Sequence, residues 1–121
     1  MNTHKQKMLN ELDEELFRLK FNIAHDAPYV EELESLKQVK VKESEEARAE
    51  IDTMNAVTGP QGKKKEHRDA LKAKLSVYGK LLNAVKDYDT TIGQLKAKIE
   101  VAENKVAITS KKIEFLTAYE G

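Results

Sequence analysis

Apolar residues recur along the first half of the chain at alternating intervals of three and four. This spacing places side chains on one face of an α-helix, and its heptad form is typical of helices that pack lengthwise on one another. The pattern predicts a first helical arm over about residues 4–57. The residues at the start of this row that we assign to the core are Leu9, Leu12, Leu16, Leu19 and Ile23.

Pro28 interrupts the helical pattern of the first arm. Proline lacks a backbone N–H and disfavours helix at the residue before it. Asp26 is a suitable N-cap for a new helix that would carry Pro28 in its first turn. The apolar row nevertheless keeps its phase across the proline and reaches Val30 and Leu33. The pattern therefore predicts a kink at Pro28 or a short break between two collinear helices.

The row becomes polar in the middle of the arm, at Lys37, Lys40 and Ser44. Val39 and Val41 alternate with polar residues there, which leaves a short strand or bulge as an alternative to helix. The run that follows is rich in Glu, Lys and Ala and favours helix by intrinsic propensity.

A turn signal lies at the centre of the chain, in the sequence Thr58-Gly59-Pro60-Gln61-Gly62. Glycine suits the left-handed position that ends a helix, and proline often follows it. A link of about five residues is the usual length between two antiparallel helices. We therefore predict an all-α fold, an antiparallel hairpin of long helices, with residues 1–121 as a single helical domain and residues 58–62 as the turn.

The second arm, over about residues 63–119, carries two apolar rows that differ in phase. The first row runs through Leu71, Leu75, Tyr78, Leu82 and Val85. The change of phase, together with a glycine, predicts a kink or break at Asp89–Gly93. If both arms break, the four pieces would instead close into a four-helix bundle. The core residues of the second row include Ile92, Leu95, Ile99, Val106, Ile113 and Leu116.

Composition agrees with long helices. Charged residues make up 35% of the 121 residues and aromatic residues only 6%, which is typical of long helices and coiled coils. The two halves differ in charge: residues 1–60 carry 8 basic and 13 acidic residues, and residues 61–121 carry 13 basic and 8 acidic residues. A hairpin would lay an acidic arm along a basic one, so we expect attraction across the seam.

The sequence contains no recognisable chemical site. There is no cysteine, and His4, His25 and His67 do not have the spacing of metal ligands. No phosphate-binding loop or nucleophile motif is present. We therefore expect no enzymatic activity, no cofactor, no metal and no small-molecule substrate. With neither an apolar leader nor a membrane-length apolar run, a soluble cytoplasmic protein is expected.

The concentrated charge feature is the lysine-rich turn. Residues 63–76 hold six basic residues against two acidic ones. Such a cluster is either a solvated tip or a contact for phosphates or an acidic partner. The residues that would make the contact are Lys63, Lys64, Lys65 and Arg68.

Apolar residues beside the predicted rows, among them Phe17, Phe21 and Phe115, widen the apolar stripe beyond what two helices bury. The expectation is a non-enzymatic interaction or structural protein that forms a homo-oligomer or packs on a larger assembly as a scaffold, adaptor or chaperone-like module. The alternative is a nucleic-acid-binding accessory protein that uses the basic turn at residues 63–74. No membrane contact is expected.

Overall fold

The protein is an all-α helical hairpin, as the sequence predicts. The computed structural model describes residues 3–120. Helix α1 spans Thr3–Asn55, α2 is a single turn at Pro60–Lys63, and α3 spans Lys65–Ala118. The two long helices pack against each other along their heptad rows. Within the described residues there is no strand, so the segment around Val39 is helical.

Helix α1 continues through Pro28 without a break, so the shorter collinear helices of the sequence prediction are not formed. Pro28 is exposed, outside the apolar row. Its ring therefore costs a backbone hydrogen bond but does not disturb the contact with α3. Beyond the proline, Val30 and Leu33 are only 6% and 7% exposed, and their packing supports the helix on that side.

Helix α3 likewise continues through Gly93. The four-helix alternative needs breaks in both arms, and residues 3–120 contain neither break. The buried row of α3 also keeps one phase, contrary to the change of phase read from the sequence. Leu75 and Leu82 are 48% and 45% exposed. Their places in the row are taken by the half-buried Lys74 and Leu81.

Lys74 explains why the sequence gives the wrong phase for this part of α3. When the row is chosen by apolar character alone, Lys74 is passed over and the neighbouring Leu75 is assigned to the row instead. In the structure, the aliphatic part of Lys74 occupies the row while its ammonium pairs with the carboxylate of Glu50 in α1. A lysine can bury its stem in this way because its charged end still reaches water or an acid.

Contacts divide the chain into two units. The first consists of residues 1–31 and 93–121, of which 3–31 and 93–120 are described, and the second is residues 32–92. Each unit contains one segment of α1 packed on one segment of α3. The division along the chain falls close to Pro28 and to Asp89–Gly93, the two places where the sequence predicts a kink or break.

The second unit holds most of the deeply buried apolar side chains. These include Leu33, Ala47, Ile51 and Ile92, at 4–7% exposure. The helices are joined at one end of this unit by a turn that depends on two glycines. Gly59 has a φ of 71°, which side chains with a Cβ rarely adopt. A Cβ on Gly62 would lie 2.7 Å from the carbonyl oxygen of Val57.

Candidate interaction surface

The predicted core residues lie where α1 and α3 pack on each other, and they differ in how deeply they are buried. Ile92, in the second unit, is 6% exposed. The others lie in the first unit and are half-buried. They are Leu9, Leu12, Leu16, Leu19 and Ile23 from α1, and Leu95, Ile99, Val106, Ile113 and Leu116 from α3.

Ion pairs join the two helices within each unit. In the first unit, Lys98 Nζ lies 3.4 Å from Asp26 Oδ2. In the second unit, Lys37 Nζ lies 2.5 Å from Asp89 Oδ1, and Lys74 pairs with Glu50. The acid comes from α1 in the Asp26 and Glu50 pairs and from α3 in the third. Two of the three ion pairs therefore join an acid of the acidic first half to a lysine of the basic second half.

Asp26 is a buried acid within the heptad row of α1, at 8% exposure. The Nδ1–H of the neighbouring His25 donates to Asp26 Oδ1 over 3.1 Å. This hydrogen bond is the main reason that the pKa of Asp26 lies below its ordinary value of 3.8, and Lys98 adds to the effect against the opposing influence of burial. The carboxylate is therefore held in its charged form inside the seam.

Polar members of the seam in the second unit are also satisfied locally. Ser44 Oγ donates to the carbonyl oxygen of Val41 over 2.6 Å. Arg48 Nη1 donates to the hydroxyl of Tyr78 across the helices at 3.5 Å, and this contact raises the pKa of Arg48. The first of these contacts satisfies the hydroxyl of Ser44, the buried polar residue in the middle of the first arm.

Large aromatic side chains remain exposed on the first unit. Phe17 and Phe21 are 72% and 61% exposed, and their rings stack one turn apart on α1 with centroids 6.4 Å apart. Phe115 is 69% exposed and stacks on Tyr119 with centroids 6.1 Å apart. Exposed clusters of this kind commonly mark a surface that another protein covers.

An open groove of about 730 Å³ runs between α1 and α3 in the first unit. Acidic side chains come from α1 and basic side chains from α3, and the remaining lining is apolar. A smaller hollow of about 170 Å³ in the same unit adds Lys98 and Lys105 from α3. The lining of the larger groove is Met8, Glu11, Leu12, Glu15, Ile108, Lys111, Lys112, Phe115 and Leu116.

The sequence identifies some of these residues but not the groove. Val101, Ile108 and Phe115 follow one another at intervals of seven outside the core row, which is a visible sign of a second apolar stripe on α3. Glu11 and Lys112 give no such signal. Their proximity depends on the level at which the two helices pair, and that level is set by the turn and the packing.

The lysine tip lies at the turn of the hairpin. Lys63, Lys64, Lys65 and Arg68 are all exposed. None of the four forms an ion pair within the part of the chain that the structure describes. Cations at the start of a helix are unfavourable toward its dipole, so their placement does not stabilise α3.

The histidines do not come together. His4 and His25 are exposed and His67 is half-buried. Across residues 3–120, no group of three or more potential metal-ligating side chains is found. The same residues contain no helix with the length and apolar character to cross a membrane.

Comparisons with protein-family models, curated proteins and solved structures found no significant match to this chain. Three surfaces of the described residues are candidates for contact with a partner: the groove of the first unit, the Phe17–Phe21 pair and the lysine tip.

Proposed function

We propose that this chain is a non-enzymatic helical interaction protein, which works by packing on protein surfaces as part of an oligomer or a larger assembly. The observation that carries the proposal is the exposure of large apolar side chains outside the two facing rows. Phe17, Phe115, Phe21 and Ile108 are 72%, 69%, 61% and 55% exposed.

The energy available from these side chains is large. Full burial of one phenylalanine contributes roughly 1.5–3 kcal/mol. Micromolar affinity corresponds to about 8 kcal/mol, after the costs of association have been met. Several such residues therefore contribute a substantial part of the energy that binds a partner, whereas leaving them in water favours non-specific aggregation.

The scaffold suits such a role. Ion pairs join the two helices within each unit, so these charged residues stabilise the two-helix packing and leave the outer surfaces for other contacts. Asp26 and Lys98 are an example in the first unit, as are Lys37 and Asp89 in the second. A scaffold, adaptor or chaperone-like module requires a rigid apolar surface of this kind more than it requires a chemical site.

The test compares the purified chain with the same chain, tagged, in an extract of its own cells. We expect self-association, or a larger native assembly, that is lost in at least one of two variants in which exposed apolar residues are replaced by glutamine. One variant replaces Phe17 and Phe21, and a second replaces Ile108 and Phe115. If the wild-type chain runs as a monomer in both settings, and neither variant changes its size, the proposal fails.

A second candidate function is supported by the lysine tip. Four exposed cations with no ion-pair partner among the described residues are suited to a phosphate backbone. They lie at the turn, so only end-on contact would avoid the acidic first arm. This candidate is a nucleic-acid-binding accessory protein, and its salt dependence distinguishes it from the first.

A further inference from the structure

The groove of the first unit has two walls of opposite charge. Glu11 and Glu15, here called the acidic wall, come from α1. Lys111 and Lys112, the basic wall, come from α3. Apolar side chains lie between and beside them. Within the described residues, none of these four charged groups forms an ion pair.

The walls lie at the same level along the helices. Lys5 contacts the carbonyl oxygen of Tyr119, and Asp26 contacts Lys98. In this unit, a residue of the first helix and a residue of the second therefore lie at the same height along the helix axes when their numbers add to 124. On this scale Lys112 is level with Leu12, between Glu11 and Glu15.

We infer that this groove is a dimerisation surface that receives the same groove of a second copy of this chain, related by a two-fold axis parallel to the helices. The inference rests on the proposed function and names its partner. Such an axis places α1 of one copy over α3 of the other without changing level. Each acidic wall then faces the partner copy's basic wall, and the contact is made twice.

Symmetry favours this arrangement over its alternative. A two-fold interface uses the same patch on both subunits, so the patch must complement itself. A two-fold axis across the helices would place α1 on α1, with like charges facing each other where the grooves overlap. Like charges in contact across an interface cost several kcal/mol. The parallel axis also buries Ile108 and Phe115 together with the walls.

The test reverses each wall separately. One variant carries Glu11→Lys with Glu15→Lys, and the other carries Lys111→Glu with Lys112→Glu. Each variant would present two like-charged walls to its own copy, so we expect its dimer dissociation constant to rise at least ~10-fold. An equimolar mixture pairs opposite walls again. It should restore a dimer that contains one chain of each variant, measured by sedimentation equilibrium and native mass spectrometry.

Rescue by mixing separates contacts between chains from contacts within one chain. Mixing changes only which chains meet, and the charges inside each chain are unaltered. The matched control is Asp13→Lys with Glu14→Lys, which changes net charge by the same amount on the same helix away from the groove. This control should dimerise as the wild type does, and circular dichroism should show equal helix content for all variants.

A second pair of variants keeps the inference testable if a reversed wall prevents folding. Ile108→Gln with Phe115→Gln changes side chains that are already 55% and 69% exposed, so folding should survive while the dimer is lost. Phe17→Gln with Phe21→Gln lies outside the groove and should leave the dimer intact.

Two results overturn the inference. In the first, the wild-type chain self-associates but neither the wall reversals nor the groove variant affects it; the interaction proposal then stands and only the surface is wrong. In the second, the wild type is monomeric at several hundred micromolar. The groove then does not bind a second copy of the chain. The proposed function is tested separately, by whether the chain forms a larger assembly in cell extract.

Discussion

The carboxylate of Asp26 in α1 lies 3.4 Å from the ammonium of Lys98 in α3. The acid is 8% exposed, whereas 66% of the lysine side chain is exposed. The pair therefore places a charge within an apolar row and connects it to solvent through the lysine. A polar residue at one core position of a heptad row is a known way to fix register, at some cost in stability.

Lowering the pH should destabilise the fold, because Asp26 then becomes protonated. The pKa of Asp26 is lowered by His25 and Lys98. Its stabilising contribution is therefore present above the ordinary value of 3.8 and is lost as the pH falls through the lowered pKa. We expect the free energy of unfolding to fall more steeply below about pH 4 in the wild type than in Asp26→Asn. Urea titrations at several pH values measure this difference.

The exposed Asp13 supplies the control for the acid titration. Asp13→Asn should leave the pH dependence of the wild type unchanged, because its carboxylate has no ion-pair partner within residues 3–120. Identical pH profiles for wild type and Asp26→Asn would show that Asp26 is not held in its charged form by the seam.

Replacing Pro28 should stabilise the protein. Pro28 lies inside the continuous helix α1, where proline costs roughly 3 kcal/mol relative to alanine. The gain is reduced by up to ~1 kcal/mol because alanine makes the unfolded chain more flexible. We expect Pro28→Ala to raise the free energy of unfolding by about 2 kcal/mol, measured by urea denaturation.

The same variant distinguishes the structure from the alternative that the sequence left open. If a new helix began at Asp26, Pro28 would occupy its first turn, where proline is well tolerated. The substitution would then be neutral or slightly destabilising. A neutral result would thus contradict a continuous α1.

Two adjacent leucines test the register of α3. Leu81 is half-buried in the heptad row, while Leu82 is 45% exposed. Leu81→Ala should therefore destabilise the protein by at least ~1 kcal/mol more than Leu82→Ala. Each variant is the control for the other because the chemical change and the helix are the same. A larger loss at Leu82 would support the phase read from the sequence.

The sequence was sufficient for the hairpin because the heptad row and the central glycines are local signals. The phase across Pro28 was also predictable, since Ile23, Val30 and Leu33 remain in step on both sides of the proline. The phase near Lys74 was not predictable from apolar character. It depends on Glu50, which is distant in sequence and becomes a partner only when the helices pair.

The groove was beyond sequence reasoning for a similar reason. Its walls come from Glu11, Glu15, Lys111 and Lys112, which look like ordinary solvated charges on separate helices. Only the level at which the helices pair brings these four residues to one groove. The lysine tip, in contrast, follows from chain order alone, because its cations are consecutive and adjoin the turn.

The lysine tip provides a prediction for the nucleic-acid candidate. If Lys63, Lys64, Lys65 and Arg68 contact phosphates, binding to duplex DNA should be independent of sequence. About four contacts correspond to a slope of roughly −3 to −4 for the logarithm of the binding constant against the logarithm of salt concentration. Replacing the three lysines with glutamine should flatten this slope by up to ~3 units. Fluorescence anisotropy over a salt series measures it.

The control for the tip removes an equal charge elsewhere. Lys80, Lys86 and Lys105 are exposed on α3 away from the turn, so their replacement by glutamine should preserve the slope. Equal loss of slope in both variants would indicate attraction to net charge rather than contact at the tip. Absence of binding at ~50 mM salt, where counterion release favours association, would eliminate this candidate.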